Sequence, residues 1–284
     1  MLTMAKYTIK EMIKKRAFLL IAILTVGYLF IYGYGLSLAF DGNNQVINNT
    51  PDVAKILLES QLLSIGLYFS NFIIAFLIVL TSAGAISGDV ESGAIYAVLA
   101  KPIKRHEYVL GKFIGLLTII VVYSTLLFLS IIGLNIAFGT KIYLGLGNVF
   151  RALFFFNLGP VVLLSLVIAS SSVMSTVNTG ILAVMAYGIA MIGDVLEQSG
   201  AVFSNASAQS LINIGIITSL ILPTNVIFRK MNAVLLTQNT GLIFITQGPL
   251  GGTSQPSPIM FVYIALYICF LLYYGTKKFE KRNL

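Results

Sequence analysis

Long uncharged stretches decide what this chain can become. Ala17–Phe40 runs for about 24 residues without a charged side chain, enough for a tilted helix to cross a hydrocarbon core of about 30 Å. It is too long for the core of a cleaved signal peptide, so it reads as a retained anchor. Further apolar stretches follow at Leu62–Ile86, Phe113–Phe138, Val149–Ser170, Val177–Val195 and Pro258–Tyr274. Pro160 falls inside the fourth, where a proline is tolerated within a bundle. A soluble domain carries about one quarter charged residues. This chain has 10% and is 57% hydrophobic, too little charge to cover a soluble surface. The expectation is an all-α polytopic membrane protein with six transmembrane helices.

Lysine and arginine set the orientation. With the N-terminus in the cytoplasm, 13 of the 18 basic residues fall inside and Lys55, Lys141, Arg151, Arg229 and Lys230 fall outside. Six spans then put both termini in the cytoplasm. The net charge of +8 is spread over the ends of apolar stretches, which argues for lipid headgroups as partners and against nucleic acid. Residues 1–16 place Leu2, Ala5, Ile9, Met12 and Ile13 at helical spacing, with Lys6, Lys10, Lys14 and Lys15 on the remaining surface. This is an amphipathic interfacial helix ahead of a single six-span domain covering residues 17–284.

Leu211–Phe228 and Ala233–Gln247 are apolar and would reverse the C-terminal orientation if one of them crossed the membrane. Pro223 favours a break, so residues 211–247 read as a re-entrant hairpin on the outer side, with surface-lying helices as the rival. Gly248–Pro258, GPLGGTSQPSP, has the composition of an outer loop.

The inventory of reactive groups removes several functions. The spans carry almost no titratable residue, and Asp194 and Glu197 lie at the outer end of the fifth; a proton- or ion-coupled transporter usually needs ionisable groups within the membrane. His106 is the only histidine, Cys269 the only cysteine, and no cluster has metal-ligand spacing. A phosphate-cradling loop is missing: Gly111-Lys112 is followed by Phe113 and lacks the upstream glycine. ATP hydrolysis is therefore expected elsewhere. The GxxxG matches Gly84–Gly88 and Gly111–Gly115 are weak packing signals in a chain with 25 glycines. The acceptor triplets at Asn48–Thr50 and Asn205–Ser207 are too short to establish glycosylation.

One segment stands apart. Ser87–Phe113, SGDVESGAIYAVLAKPIKRHEYVLGKF, concentrates Asp89, Glu91, Lys101, Lys104, Arg105, His106, Glu107 and Lys112 between the second and third spans. Orientation alone needs only bases, yet both signs are present. Ser87–Ala100 is predicted as a short helix, with Asp89 and Glu91 at the positive end of its dipole. Val90, Ala94, Ala97 and Tyr96 make a contact face, and Lys101-Pro102 stops the helix. Lys104–Lys112 starts the next helix, with its bases near the headgroups. Two readings stay open: a positive-inside loop, or a docking surface for a cytoplasmic partner.

Glu91-x-Gly93, Leu99, Pro102, Arg105 and Gly111-Lys112 resemble the cytoplasmic signature of type-2 ABC transporter permeases, roughly E-x-G-T, then L-x-x-P-[IV]-x-R, then G-K. Ala94 stands where that family usually has Thr. The six-span layout, the basic start and the long outer region before the last span agree. The resemblance implies a permease that works as a dimer of the same or related chains, each docked to a separate ATP-binding subunit that holds ATP and Mg. Ser87–Ala100 would be the coupling helix. Asp89, Glu91, Gly93, Tyr96, Leu99, Pro102, Arg105, Gly111 and Lys112 would form the ATPase-coupling set. Glu91 would contact the ATPase or hold the coupling helix against the amphipathic start, and Arg105 would hold the turn or contact lipid phosphate. The re-entrant segments around Pro223 and Pro249 would be an outer gate. The expected function is ATP-driven export of a hydrophobic or amphiphilic substrate across a prokaryotic plasma membrane. The alternatives are a resistance or sensing complex that clears membrane-active compounds without export, and an unenergised channel or scaffold.

Overall fold

The structure is a computed structural model and describes residues 2–40, 52–99, 104–138, 145–202, 206–236 and 257–282. Among these residues there are only helices: α1 (Leu2–Lys14), α2 (Arg16–Phe40), α3 (Asp52–Ser82), α4 (Ser87–Glu91), α5 (Ala94–Leu99), α6 (Arg105–Ala137), α7 (Leu146–Val173), α8 (Thr176–Val202), α9 (Ala206–Ile221), α10 (Thr224–Leu236) and α11 (Pro258–Glu280). Six stretches are long and apolar enough to cross a membrane: Arg16–Phe40, Leu58–Glu91, Arg105–Ala137, Leu146–Val173, Thr176–Gly200 and Pro258–Glu280. They match the six predicted from sequence. Most run further than the uncharged stretch alone, because helix continues into polar residues at the ends. α6, with 33 residues, is about 50 Å long and outreaches a hydrocarbon core of about 30 Å.

α7 is the hub. It packs against α3, α6, α8, α10 and α11, and buries Ala152, Phe156, Leu163, Leu164, Val167 and Ile168. Pro160 lies inside it and is itself buried, shielded by its neighbours rather than by lipid. α2 and α11 pack at the periphery and turn large apolar side chains such as Phe30, Ile31, Val262 and Phe270 outward, as lipid-facing helices do. α1 lies along α6 and buries Met4, Ala5, Thr8 and Met12, while Lys6, Lys10 and Lys14 stay exposed. Gly115 makes that approach possible: a Cβ there would come within 2.7 Å of the Ala5 carbonyl oxygen and 2.8 Å of Thr8. Gly115 of the pair Gly111–Gly115 therefore has a packing reason. Gly84–Gly88 has one too, since both face Thr176 at the start of α8.

α9 and α10 meet at a bend of 102° at Leu222-Pro223. Proline removes a backbone donor and the helix cannot run straight through. The hydroxyls of Tyr263 and Tyr267 on α11 donate to the carbonyl oxygens of Leu220 (2.6 Å) and Ile221 (2.7 Å), which end α9. Pro249 and the loop Gly248–Pro258 lie mostly outside the described residues, as do residues 237–247 of the predicted hairpin.

Candidate functional site

The ends of α1, α6, α7 and α11 and the segment α4–α5 gather at one end of the bundle, the end that carries both termini. The predicted continuous helix over Ser87–Ala100 is instead two short helices. Gly93 breaks them with φ of +74°, a conformation that costs a side-chain-bearing residue and suits glycine. This gives Gly93 of the motif a backbone role. Leu99 closes α5, Pro102 lies outside the described residues, and Arg105 opens α6 after Lys104 in extended conformation.

Asp89 lies in the first turn of α4 as expected, and its carboxylate also reaches other elements. Its Oδ2 lies 2.9 Å from Lys112 Nζ and accepts from the Tyr108 hydroxyl. Lys112 in turn reaches Glu11 Oε2 of α1 at 2.8 Å, and Glu11 Oε1 pairs with Lys15 at 3.1 Å. Sequence reasoning put Lys112 near the headgroups. The structure buries it, with its side chain 5% exposed, because two carboxylates wait for it inside. Burial works against the Glu11 charge, but the hydrogen bond and charge of Lys112, with help from Lys15, hold its carboxyl below the ordinary value. Gly111 is buried beside this cluster on α6.

Glu91 grips a different helix. Its Oε1 accepts from the backbone N–H of Thr176 (2.8 Å) and its Oε2 from the Thr176 hydroxyl (2.9 Å). Thr176 is the first residue of α8, which has no acidic residue in its own first turn. Glu91 thus supplies from another element the anion that a helix N-terminus favours. The tie to the amphipathic start, assigned from sequence to Glu91, runs through Asp89 and Lys112. Ser171 of α7 stitches the same corner: its Oγ accepts from the N–H groups of Ile86 and Ser87 and donates to the Ala83 carbonyl at 2.8 Å. Arg105 ties the start of α6 to the end of α11. Its Nη1 donates to the carbonyl oxygens of Glu280 (3.0 Å) and Arg282 (2.7 Å) at the end of α11, and Arg282 Nη1 donates to the Ser172 carbonyl. Tyr108 stacks on Phe279 beneath that contact.

The opposite side of α4–α5 faces outward. Tyr96 is 60% exposed, and Ala94 and Ala97 are exposed with it, whereas Ile95 is buried and Val90 packs toward the core. Three of the four residues expected on one contact face share it.

A second charged cluster lies at the far end of the bundle. Arg229 of α10 reaches Glu197 of α8 through two hydrogen bonds, Nη1 to Oε1 at 2.7 Å and Nη2 to Oε2 at 3.0 Å. Its Nε lies 3.3 Å from Asp194 Oδ1, and Gln198 donates to Asp194 Oδ2 at 2.8 Å. The acidic and basic side chains are 6–8% exposed. Sequence reading left Asp194 and Glu197 as end-of-span carboxylates and did not pair them. Their spacing of three along one helix, together with a lone arginine in an apolar stretch, was the available signal. Among the described residues no group of three His, Cys, Asp or Glu residues is placed to hold a metal ion.

The sequence matches the family described as ABC-2 family transporter protein over residues 2–284. The chain belongs to that family. It is an integral membrane protein with a permease role in ABC transport, and members of the family are membrane components, not ATPases. Membership implies an ATP-binding partner. No curated protein matches the sequence.

Proposed function

We propose that this chain is the membrane-spanning subunit of an ATP-driven exporter of a hydrophobic or amphiphilic substrate. α1 is an interfacial helix, and the rest is one six-span domain. Two permease chains, identical or related, pair in the cell membrane with both termini in the cytoplasm. Each docks an ATP-binding subunit that holds ATP and Mg and presses on the segment from Ser87 to Lys112. The bent pair α9–α10 is re-entrant from the outer side, and with Pro223 and Pro249 it gates the exit.

The observation that carries this reading is the two-sided character of α4–α5. One side offers Tyr96, Ala94 and Ala97 to a partner. The other is fastened to three helices by Asp89, Glu91 and Ser87. A surface that only oriented the chain would need no such backing. A partner that pushed on it would load the contacts that fasten it.

Purification of the chain in mild detergent from its own host's membranes tests the docking. A stoichiometric ATP-binding subunit is expected. Tyr96→Asp is expected to weaken that association by about tenfold or more, the loss of one buried aromatic anchor. Glu91→Lys is expected to leave the permease pair intact and remove stimulation of the ATPase. A wild-type chain that purifies alone at every detergent strength would overturn the reading in favour of an unenergised channel or scaffold.

A further inference from the structure

α8 is held in an unusual way for a helix in a bundle. At its start, Thr176 is gripped by both oxygens of Glu91, and Ser87 Oγ lies 2.9 Å from the Thr176 hydroxyl. At its other end, Asp194 and Glu197 hold Arg229 of α10, and Gly193 packs so closely on α9 that a Cβ would collide with Thr218 at 1.7 Å. Gly215 of α9 returns the contact, lying against the Gly193 carbonyl and Glu197. Between Thr179 and Gly193, only Ala183 and Ala190 are fully buried, while Ile181, Val184, Met185 and Ile192 point outward. Tyr187 reaches from the middle of α8 to Phe72 of α3, with ring centroids 6.2 Å apart, while the fully buried positions there carry small side chains. Thr176 and Glu197 are separated by about 30 Å of helix, which is stiff along its axis because each turn is hydrogen-bonded to the next.

A stiff element fastened at both ends transmits displacement along its axis. We propose that α8 carries movement of the α4–α5 segment across the membrane to the bent pair α9–α10, with Glu91 and Thr176 as the positioning residues that engage it. This deepens the permease reading and rests on it. The rival route runs through α3 and α6, to which α4–α5 is joined in the chain. Those helices are embedded against α7 by large buried residues, among them Leu67, Ile74, Leu77, Ile78 and Phe128, and behave as the frame. Spatial continuity does not by itself establish energetic coupling between two sites, so the test must measure coupling.

The first arm needs no partner. The full chain in lipid nanodiscs is followed by amide hydrogen exchange, with and without Thr176→Val, which removes the hydroxyl and keeps the helix. Faster exchange is expected in α10 around Arg229, about 30 Å away, as well as in the first turns of α8. Gly115→Val, which loosens α1 instead, is expected to leave α10 unchanged. An effect of Thr176→Val confined to the start of α8 overturns the proposal. The second arm uses the complex with its ATP-binding subunit, in a Cys269→Ser background with Gln209→Cys on the exposed side of α9. Labelling by a water-soluble maleimide is compared with and without ATP and Mg. The wild-type rate is expected to change at least about fivefold, Thr176→Val to lose that change while retaining the subunit, and Thr176→Ser to restore it. A Thr176→Val complex that responds like wild type overturns the role of α8 and leaves the permease reading standing. Failure of the wild-type chain to retain any ATP-binding subunit overturns the permease reading itself, and the transmission role with it.

Discussion

At the end of the bundle that carries the termini, Lys112 lies between Glu11 and Asp89, whose side chains are 41% and 23% exposed. At the far end, Arg229 lies between Asp194 and Glu197, which are 7% and 8% exposed. Both clusters set one buried cation between two carboxylates, yet they differ in what stands behind them. The Lys112 cluster has Lys15 and the Tyr108 hydroxyl in support and water at its rim. The Arg229 cluster is closed over by α8 and α10, and its charges face one another away from water. Partly solvated pairs tolerate the loss of a member, while a fully buried pair leaves its survivor stranded. The first arrangement suits a joint that must move, and the second a joint that must hold.

That contrast breaks most sharply at Arg229. Arg229→Met removes the cation from two buried carboxylates and is expected to cost about 3–5 kcal/mol, read as a lowered midpoint of thermal or denaturant unfolding in detergent. Adding Asp194→Leu and Glu197→Met is expected to recover much of the loss; no recovery would mean that the cluster is not a mutual neutralisation. Lys112→Met is expected to cost less, about 1.5–3 kcal/mol for its charge-assisted bonds, because both acids keep access to water. Its signature is local: faster proteolysis or hydrogen exchange in Leu2–Lys14. Equal costs for the two substitutions would erase the comparison. Gly115→Val tests the same joint sterically and is expected to lift α1 from α6 without unfolding the spans, seen again as exchange confined to α1.

The smallest effect concerns protonation. The Glu11 carboxyl is held below its ordinary value, so its contribution is complete above the usual carboxylate range and is lost as pH falls through the depressed value. Its exposure keeps that contribution under about 1 kcal/mol. Protection of α1 is expected to fall with acidification in the wild type and to stay flat in Glu11→Gln. A wild-type chain whose α1 protection does not change with pH would remove Glu11 from the joint.

The spans were legible because hydrocarbon leaves a long uncharged run no alternative to a helix. The charged segment was legible as unusual, and its glycine, arginine and lysine proved to be structural positions. What could not be read was who holds whom. Glu91 meets Thr176, 85 residues away, and Glu197 meets Arg229 across a separation of 32. Neither spacing belongs to a helix or a turn, so only the packing of α4 on α8 and of α10 on α8 creates the pairs. Lys112 was misplaced for the same reason. Counting bases at helix ends predicts headgroup contact, and nothing local announces two acids waiting on other elements.

The two tyrosines that close the bend at Leu222-Pro223 also set a timetable. Leu220 and Ile221 end a helix in an apolar stretch, and their carbonyl oxygens accept from the hydroxyls of Tyr263 and Tyr267. A nascent chain is made from its N-terminus, so α9 and α10 are synthesised before those hydroxyls exist. Until α11 arrives, the bend lacks these two donors. A chain truncated ahead of Tyr263 should therefore keep its first five spans and still lack a settled α9–α10 corner. A helix made later completes an element made before it.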